Sequence, residues 1–282
     1  MIVPDYLAEH FADLVDTHLG SELGPAYLDS GQPALHFELG GAVPGPVIGS
    51  RIGGEPVLPR GMPWPSSVDD VAGDERHLVC MAVLELWLLA PYADVTGLPI
   101  DGTLTFFYAD DAELPPWGEP YQAGGWKVVY TPPGAEVEPE PPVGVTVWAP
   151  RLLIPVRAMS YPVIEESYFD ERRPFSALHQ AWNAVRYDDE LAPTGVQIGG
   201  IPEAVQWDPR FDATRHRGVE PGSDWCLLLQ LTADARITEK LSVRPSRGFD
   251  DWLGGDFTVY FLTRDRDLRD GDFSQTWLIA QR

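Results

Sequence analysis

The stretch Arg51-Ile52-Gly53-Gly54-Glu55-Pro56-Val57-Leu58-Pro59-Arg60-Gly61-Met62-Pro63-Trp64-Pro65 decides how the rest of the chain is read. Its paired glycines permit positive φ, and Pro56, Pro59, Pro63 and Pro65 forbid regular helix and a central strand. Such a segment is an ordered loop that crosses a surface or clamps the end of a sheet. Trp64, between two prolines, is expected to pack down as its anchor. A degenerate copy returns as Gln197-Ile198-Gly199-Gly200-Ile201-Pro202-Glu203-Ala204-Val205-Gln206-Trp207-Asp208-Pro209.

Working outward, each copy is followed by strand candidates in the same order. After the first come the apolar run Leu78 to Leu89, then Thr103–Tyr108, then Trp126–Tyr130. After the second come Trp225–Leu231, Phe257–Leu262 and Trp277–Ala280. Recurrence of four elements in one order predicts a diverged internal repeat. The expected layout is repeat 1 at about 51–131, a connecting region 132–196 and repeat 2 at about 197–281, in one two-lobed domain. Thr103–Tyr108 is expected to superpose on Phe257–Leu262. Leu78 to Leu89 is apolar on both parities, as in a strand buried on both faces.

Helices are predicted where apolar residues recur three or four apart. Leu7, Phe11, Leu14, Val15 and Leu19 mark one over 4–19, stopped at Gly20. Phe175, Leu178, Trp182 and Val185 mark another at about 176–187. Residues 66–76 read as an exposed turn, and Thr131 to Gly144 as an extended, solvated, Pro/Glu-rich linker. Val145 to Val156 is β-like, with Pro150 and Pro155 restricting it to edge or bulge positions. The 28 Pro and 27 Gly point to many turns. The expected fold class is α+β: predominantly antiparallel β, in two diverged β-rich repeats with a few flanking helices.

With both copies in view, the chain resembles the YwqG-like family of bacterial proteins, a domain of unknown function. The resemblance rests on Gly53 to Pro59, Trp64-Pro65, Gly102 to Tyr108, Gly199 to Pro202 with Gln206, Trp225 to Gln230, and Asp272 to Gln281. It covers roughly residues 45–282. It implies an α+β fold with duplicated β-rich halves and brings no established activity. One departure stands out: Val83 occupies the place of a glutamine that the second copy keeps as Gln230.

Charge bounds the partners. The chain has a formal net charge of −23. Residues 1–150 hold 22 acids against 4 bases, a net of −18, and residues 151–282 a net of −5. Such a surface repels phosphate backbones, so nucleic acid is disfavoured. It would draw a basic protein, or leave a small ligand as the alternative. The acidic start and the shortness of the longest apolar run predict a cytoplasmic protein with no signal peptide and no membrane association.

No phosphate-binding loop, serine elbow or HExxH motif occurs, and no cofactor is expected. Cys80 and Cys226 lie in apolar runs and read as small buried hydrophobes. His77 and Cys80 are three apart and would face opposite sides of a strand. Asp265 to Asp272 fails the EF-hand register and reads as a turn between strands, with no metal expected. Arg215-His216-Arg217 reads as a basic loop cluster. The function predicted is therefore non-catalytic binding, in a specific form the neutralisation of a basic protein, as an immunity protein does. Candidate ligand or partner residues are Arg51, Trp64, Asp110, Asp111, Glu113, Trp117 and Tyr121. The alternative is a hydrolase with a His/acid site between the halves, drawn from His36, His77, His179 and His216.

Overall fold

A computed structural model gives the fold. It describes residues 1–42, 48–68, 75–111, 115–137, 139–164, 173–186, 194–218, 224–237, 240–242 and 250–282. The chain is α+β and mostly antiparallel. One sheet carries the architecture, built from β1 (Ile2–Pro4), β2 (Gln32–Ala42), β3 (Arg51–Ile52), β4 (Val79–Glu85), β5 (Thr103–Tyr108), β6 (Trp126–Thr131), β7 (Arg151–Ser160), β8 (Gln197–Ile198), β9 (Trp225–Thr232), β10 (Thr258–Arg264) and β11 (Trp277–Gln281). Its order is β11-β10-β9-β8-β2-β7-β3-β4-β5-β6, with β1 also paired to β7. The order runs outward on both sides from the long antiparallel pair β2–β7, whose register begins at Gln32 opposite Ser160.

The sheet curls until its two edge strands approach each other, as a nearly closed barrel. Phe106 of β5 and Phe261 of β10 touch edge-to-face across the interior at 5.1 Å. Trp126 of β6 and Trp277 of β11 do the same at the seam, at 5.0 Å. The main core fills this interior with buried side chains from both sides, among them Ile52, Leu84, Leu104, Leu229 and Val259. Burial of this apolar surface is the chief force closing the sheet.

Helices cover the sheet. Among those labelled here are α1 (Ala8–Asp29), α2 (Arg173–Arg186), α3 (Pro209–Arg217) and α4 (Asp265–Asp270). The helix expected at 4–19 is there, but the chain re-enters helix beyond Gly20, which sits as a kink at φ 63°. A second core joins α1 to α2, with Phe11 against Trp182 at 5.1 Å and against Tyr161 at 4.8 Å. The helix expected at about 176–187 is α2, with residues 187–190 outside the described set.

Several local expectations are corrected. The apolar run from Leu78 is a strand only to Glu85, and Leu86–Leu89 turns helical. The ladder ends where Leu86 N–H donates to Gly102 O, and Leu86 and Leu89, three apart, then both reach the core. Pro155, opposite Phe37, keeps the expected edge geometry although its strand is central in the sheet order. It is tolerated because β3 pairs with β7 only at residues 151–152 and β1 only at 158–160, so the strand is locally an edge there. Arg215-His216-Arg217 ends the helix α3 where the sequence predicts a loop, and Asp265 to Asp270 is the helix α4 where it predicts a turn between strands. The supposed linker is partly ordered, since Glu136–Val137 pairs with Leu58–Pro59. The expected turn at 66–76 is a ribbon at its ends, Ser66 opposite His77, with residues 69–74 outside the described set.

Candidate functional site

The two stretches that begin Gly53-Gly54-Glu55-Pro56 and Gly199-Gly200-Ile201-Pro202 are straps laid across the outside of the sheet. Gly53 and Gly54 have φ of 68° and 75°, and Gly199 and Gly200 have 70° and 66°. A Cβ at Gly53 would lie 2.9 Å from Trp148 O, and one at Gly200 would lie 2.1 Å from Ser160 Oγ. Only glycine permits both the left-handed backbone and the approach.

The second strap is held by a row of polar side chains set in apolar strands. Gln197, Gln230 and Tyr260 stand opposite one another on β8, β9 and β10. Gln197 Nε2 donates to Gly199 O and Ile201 O, at 2.8 and 3.0 Å. Gln230 Oε1 accepts from Glu203 N–H at 2.9 Å, and Tyr260 OH donates to Glu203 O at 2.8 Å. Gln281 Oε1 accepts from Val205 N–H while its Nε2 donates to Trp207 O. Burial, chiefly, pushes the Tyr260 phenol well above its ordinary value, so the hydroxyl stays a donor at neutral pH. On the first strap Thr105 and Thr131 both donate to Val57 O, at 2.8 and 3.1 Å. Arg51 takes the remaining role: its guanidinium donates to Gly49 O and Glu55 O. Val83, lacking the amide of Gln230, belongs instead to an apolar cluster beneath this strap with Val57, Leu58 and Phe107.

Beside the second strap opens a groove of about 800 Å³. Ser176, His179 and Gln180 of α2 line one wall, and Trp207, Asp208 and Arg210 another. The strap and α3 are fixed locally. The Asp208 carboxylate accepts from Arg210 N–H as the N-cap, Pro209 opens the helix, and Gly218 closes it in the left-handed region. Asp208 also holds the Arg210 guanidinium at 2.6 Å. Trp207 is 59% exposed although its indole N–H donates to Asp212. Val205 and Phe211 flank it at 52% and 73%.

The residues marked from sequence fall in different places. Arg51 is buried as a strap clamp, 3.9 Å from Glu85. Trp64 is half-buried, donates to Leu78 O at 2.7 Å and stands edge-on to Phe107. Asp110 and Asp111 are buried, each at 7% exposure, and Asp111 is ion-paired with Arg76. Glu113 lies outside the described residues. Trp117 packs on Phe257 at 4.9 Å near the barrel seam. Tyr121 is exposed on a single 3-10 turn. The groove residues Ser176, Trp207 and Arg210 were missed. The signal available was Trp207 itself, an aromatic in a polar run directly before a helix N-cap.

Of the histidines, His216 of α3 faces an acid, Glu119, that is distant in sequence. Its Nδ1 donates to Gly118 O at 2.8 Å, and its Nε2 lies 3.6 Å from Glu119. The Nδ1 bond thus ties α3 to the segment at Gly118 beside the seam. His36 is fully buried and His179 lines the groove. The Cys80 thiol is pushed up to about 12 by burial, with Arg51 opposing, and the half-buried Cys226 thiol is raised for the same main cause. Neither is poised as a thiolate. Among the described residues no group of His, Cys, Asp and Glu could hold a metal ion, and no helix is long and apolar enough to cross a membrane.

No curated protein matches the chain. A family model does, over residues 50–281, from just before the first strap to the end of β11. The chain therefore belongs to the family described as a domain of unknown function, DUF1963.

Proposed function

We propose that the chain is a non-catalytic binding protein whose partner is a basic protein, engaged at the lip of the groove beside the second strap. The observation that carries this reading is the exposed trio Val205, Trp207 and Phe211 beside a groove of about 800 Å³. Exposed aromatics next to a concavity are typical anchors of protein interfaces. The net charge of −23 supports a basic partner, drawn in by long-range attraction. Neutralising such a partner, as an immunity protein does, is the specific form of the proposal. The burial of Asp110 and Asp111 favours this lip over the acidic loop as the contact. A pull-down from native lysate at low salt should retain a basic protein that high salt releases and that Trp207→Ala with Phe211→Ala loses. Retention of no basic protein, or retention indifferent to these changes, would sink the proposal.

A second reading has one observation in its favour. Ser176 and His179, three apart on α2, both line the groove that also holds Asp208. These residue types suit acyl transfer at a hydrolase site. Hydrolysis of p-nitrophenyl acetate by the pure protein, abolished by Ser176→Ala, would support it; absence of hydrolysis would remove it.

We further infer that residues 51–131 and 197–281 are diverged copies, as in the YwqG-like pattern. Several details support this. The chain bulges between Cys80 and Ala82 in one half and between Leu227 and Leu229 in the other. Val57 O accepts from Thr105 where Glu203 O accepts from Tyr260. Leu86 N–H donates to Gly102 O where Ala233 N–H donates to Phe257 O. These registers set Thr103 over Thr258, one residue on from the alignment with Phe257 read from sequence. An experimental structure whose halves superpose only in another register would overturn the duplication.

A further inference from the structure

The sheet has two edges, β6 and β11, and they are treated differently. Ala109 N–H donates to Gly125 O, and this fixes the phase of the β5–β6 ladder. In an antiparallel ladder, alternate residues turn both backbone groups away from the partner strand. On β6 these are Trp126, Val128 and Tyr130. On β11 they are Leu278 and Ala280, by the same count from Ala233 N–H on Phe257 O. The β11 edge is covered by the chain itself. Trp117 O accepts from Ala280 N–H at 3.3 Å, and Gly118 lies so close to the edge that a Cβ there would sit 2.2 Å from Leu278 O. Along β6, among the described residues, the matching place is a groove of about 500 Å³ between the strand, the 271–277 segment and the first strap.

We propose that this groove takes an extended peptide of a partner protein, added as a strand along β6, and that the peptide carries acidic side chains. The proposal does not depend on the lip at Trp207. The outward N–H and C=O groups of Trp126, Val128 and Tyr130 supply main-chain pairing, and Trp126, Trp277 and Tyr130 supply apolar contact. Charge selects the partner: in a molecule of −23, this groove is lined by Lys127 and Arg217 against one acid, Asp272. Arg217 lies over the Trp277 ring, 5.0 Å from its centroid, which holds the cation at the groove mouth. Trp117–Gly118 on β11 shows what the occupied edge looks like.

The probe is a capped peptide of about seven residues, the length that spans this edge, alternating valine with glutamate. Hydrogen exchange on the whole protein reads the result. The glutamate peptide should slow exchange at the amides of Trp126, Val128 and Tyr130 at least about tenfold. The lysine version, and a glutamate version N-methylated on one edge, should leave them unchanged. Lys127→Glu with Arg217→Glu, both exposed positions, should reverse the preference towards lysine. No protection by the glutamate peptide would overturn the proposal. So would equal protection by the lysine or the N-methylated peptide.

Discussion

At the scale of single residues, burial sets the chemistry. Trp64→Ala removes a half-buried ring, its contact with Phe107 and its bond to Leu78 O. The expected cost is about 3 kcal/mol, at the low end for large aromatics because the ring is not fully enclosed. A urea midpoint equal to that of the parent would refute this. Cys80 gives a pH signature. Its folded pKa lies above the unfolded one, from 9.0 to about 12, so its contribution is full below about 9 and is lost as pH rises through 12. The buried Tyr108 and Tyr260, raised in the same direction mainly by desolvation, add to it. Thermal midpoints should therefore fall steeply on the alkaline side. In iodoacetamide labelling at pH 8, Cys226 should react first and Cys80 only on unfolding; the reverse order would contradict the burial. The burial of Cys80 was legible in the sequence, as a cysteine in an apolar run, whereas Cys226, which the same pattern predicts to be buried, is only half-buried. The clamp role of Arg51 was not, because a buried guanidinium bonded to carbonyls leaves no pattern along the chain.

At the scale of elements, legibility followed periodicity. β5 and β6 were readable because apolar and β-branched residues are dense there. α3 was missed although Asp208, Pro209 and Gly218 spelled its start and stop, because Pro-Arg-Phe-Asp-Ala-Thr-Arg-His-Arg has no apolar stripe to suggest a helix. α4 was missed for the same reason, with Gly271 as its unheeded cap. The groove by the second strap was illegible, since α2 and Trp207 meet only through the fold. Seam closure can be tested at Gly118, which has φ 99° and almost no room for a side chain. Gly118→Ala should destabilise by about 2 kcal/mol or more, from strain and from displacement off β11. It should also free Trp117, seen as a red shift in tryptophan emission. An unshifted spectrum with full stability would mean that the seam is held elsewhere.

At the scale of the molecule, charge and connectivity dominate. A chain of −23 repels itself, and salt screens that repulsion. Moderate sodium chloride should raise the thermal midpoint; a fall would mean that ion pairs such as Arg76–Asp111 outweigh it. The charge imbalance was plain in the sequence, but its placement was not, because Asp110 and Asp111 turned inward. The central β2–β7 pair has a temporal consequence. Gln32 waits for Ser160, Ile2 waits for the same residue, and the Met1 amine waits to donate to Tyr161 O. Strands β4, β5 and β6 need only near neighbours and can assemble while synthesis continues. A nascent chain arrested before residue 151 should resist protease across β4 to β6 yet be cut within β2. β2, made long before β7, is then among the last strands to find its partner, and until it does its unpaired edges are a demand on chaperones.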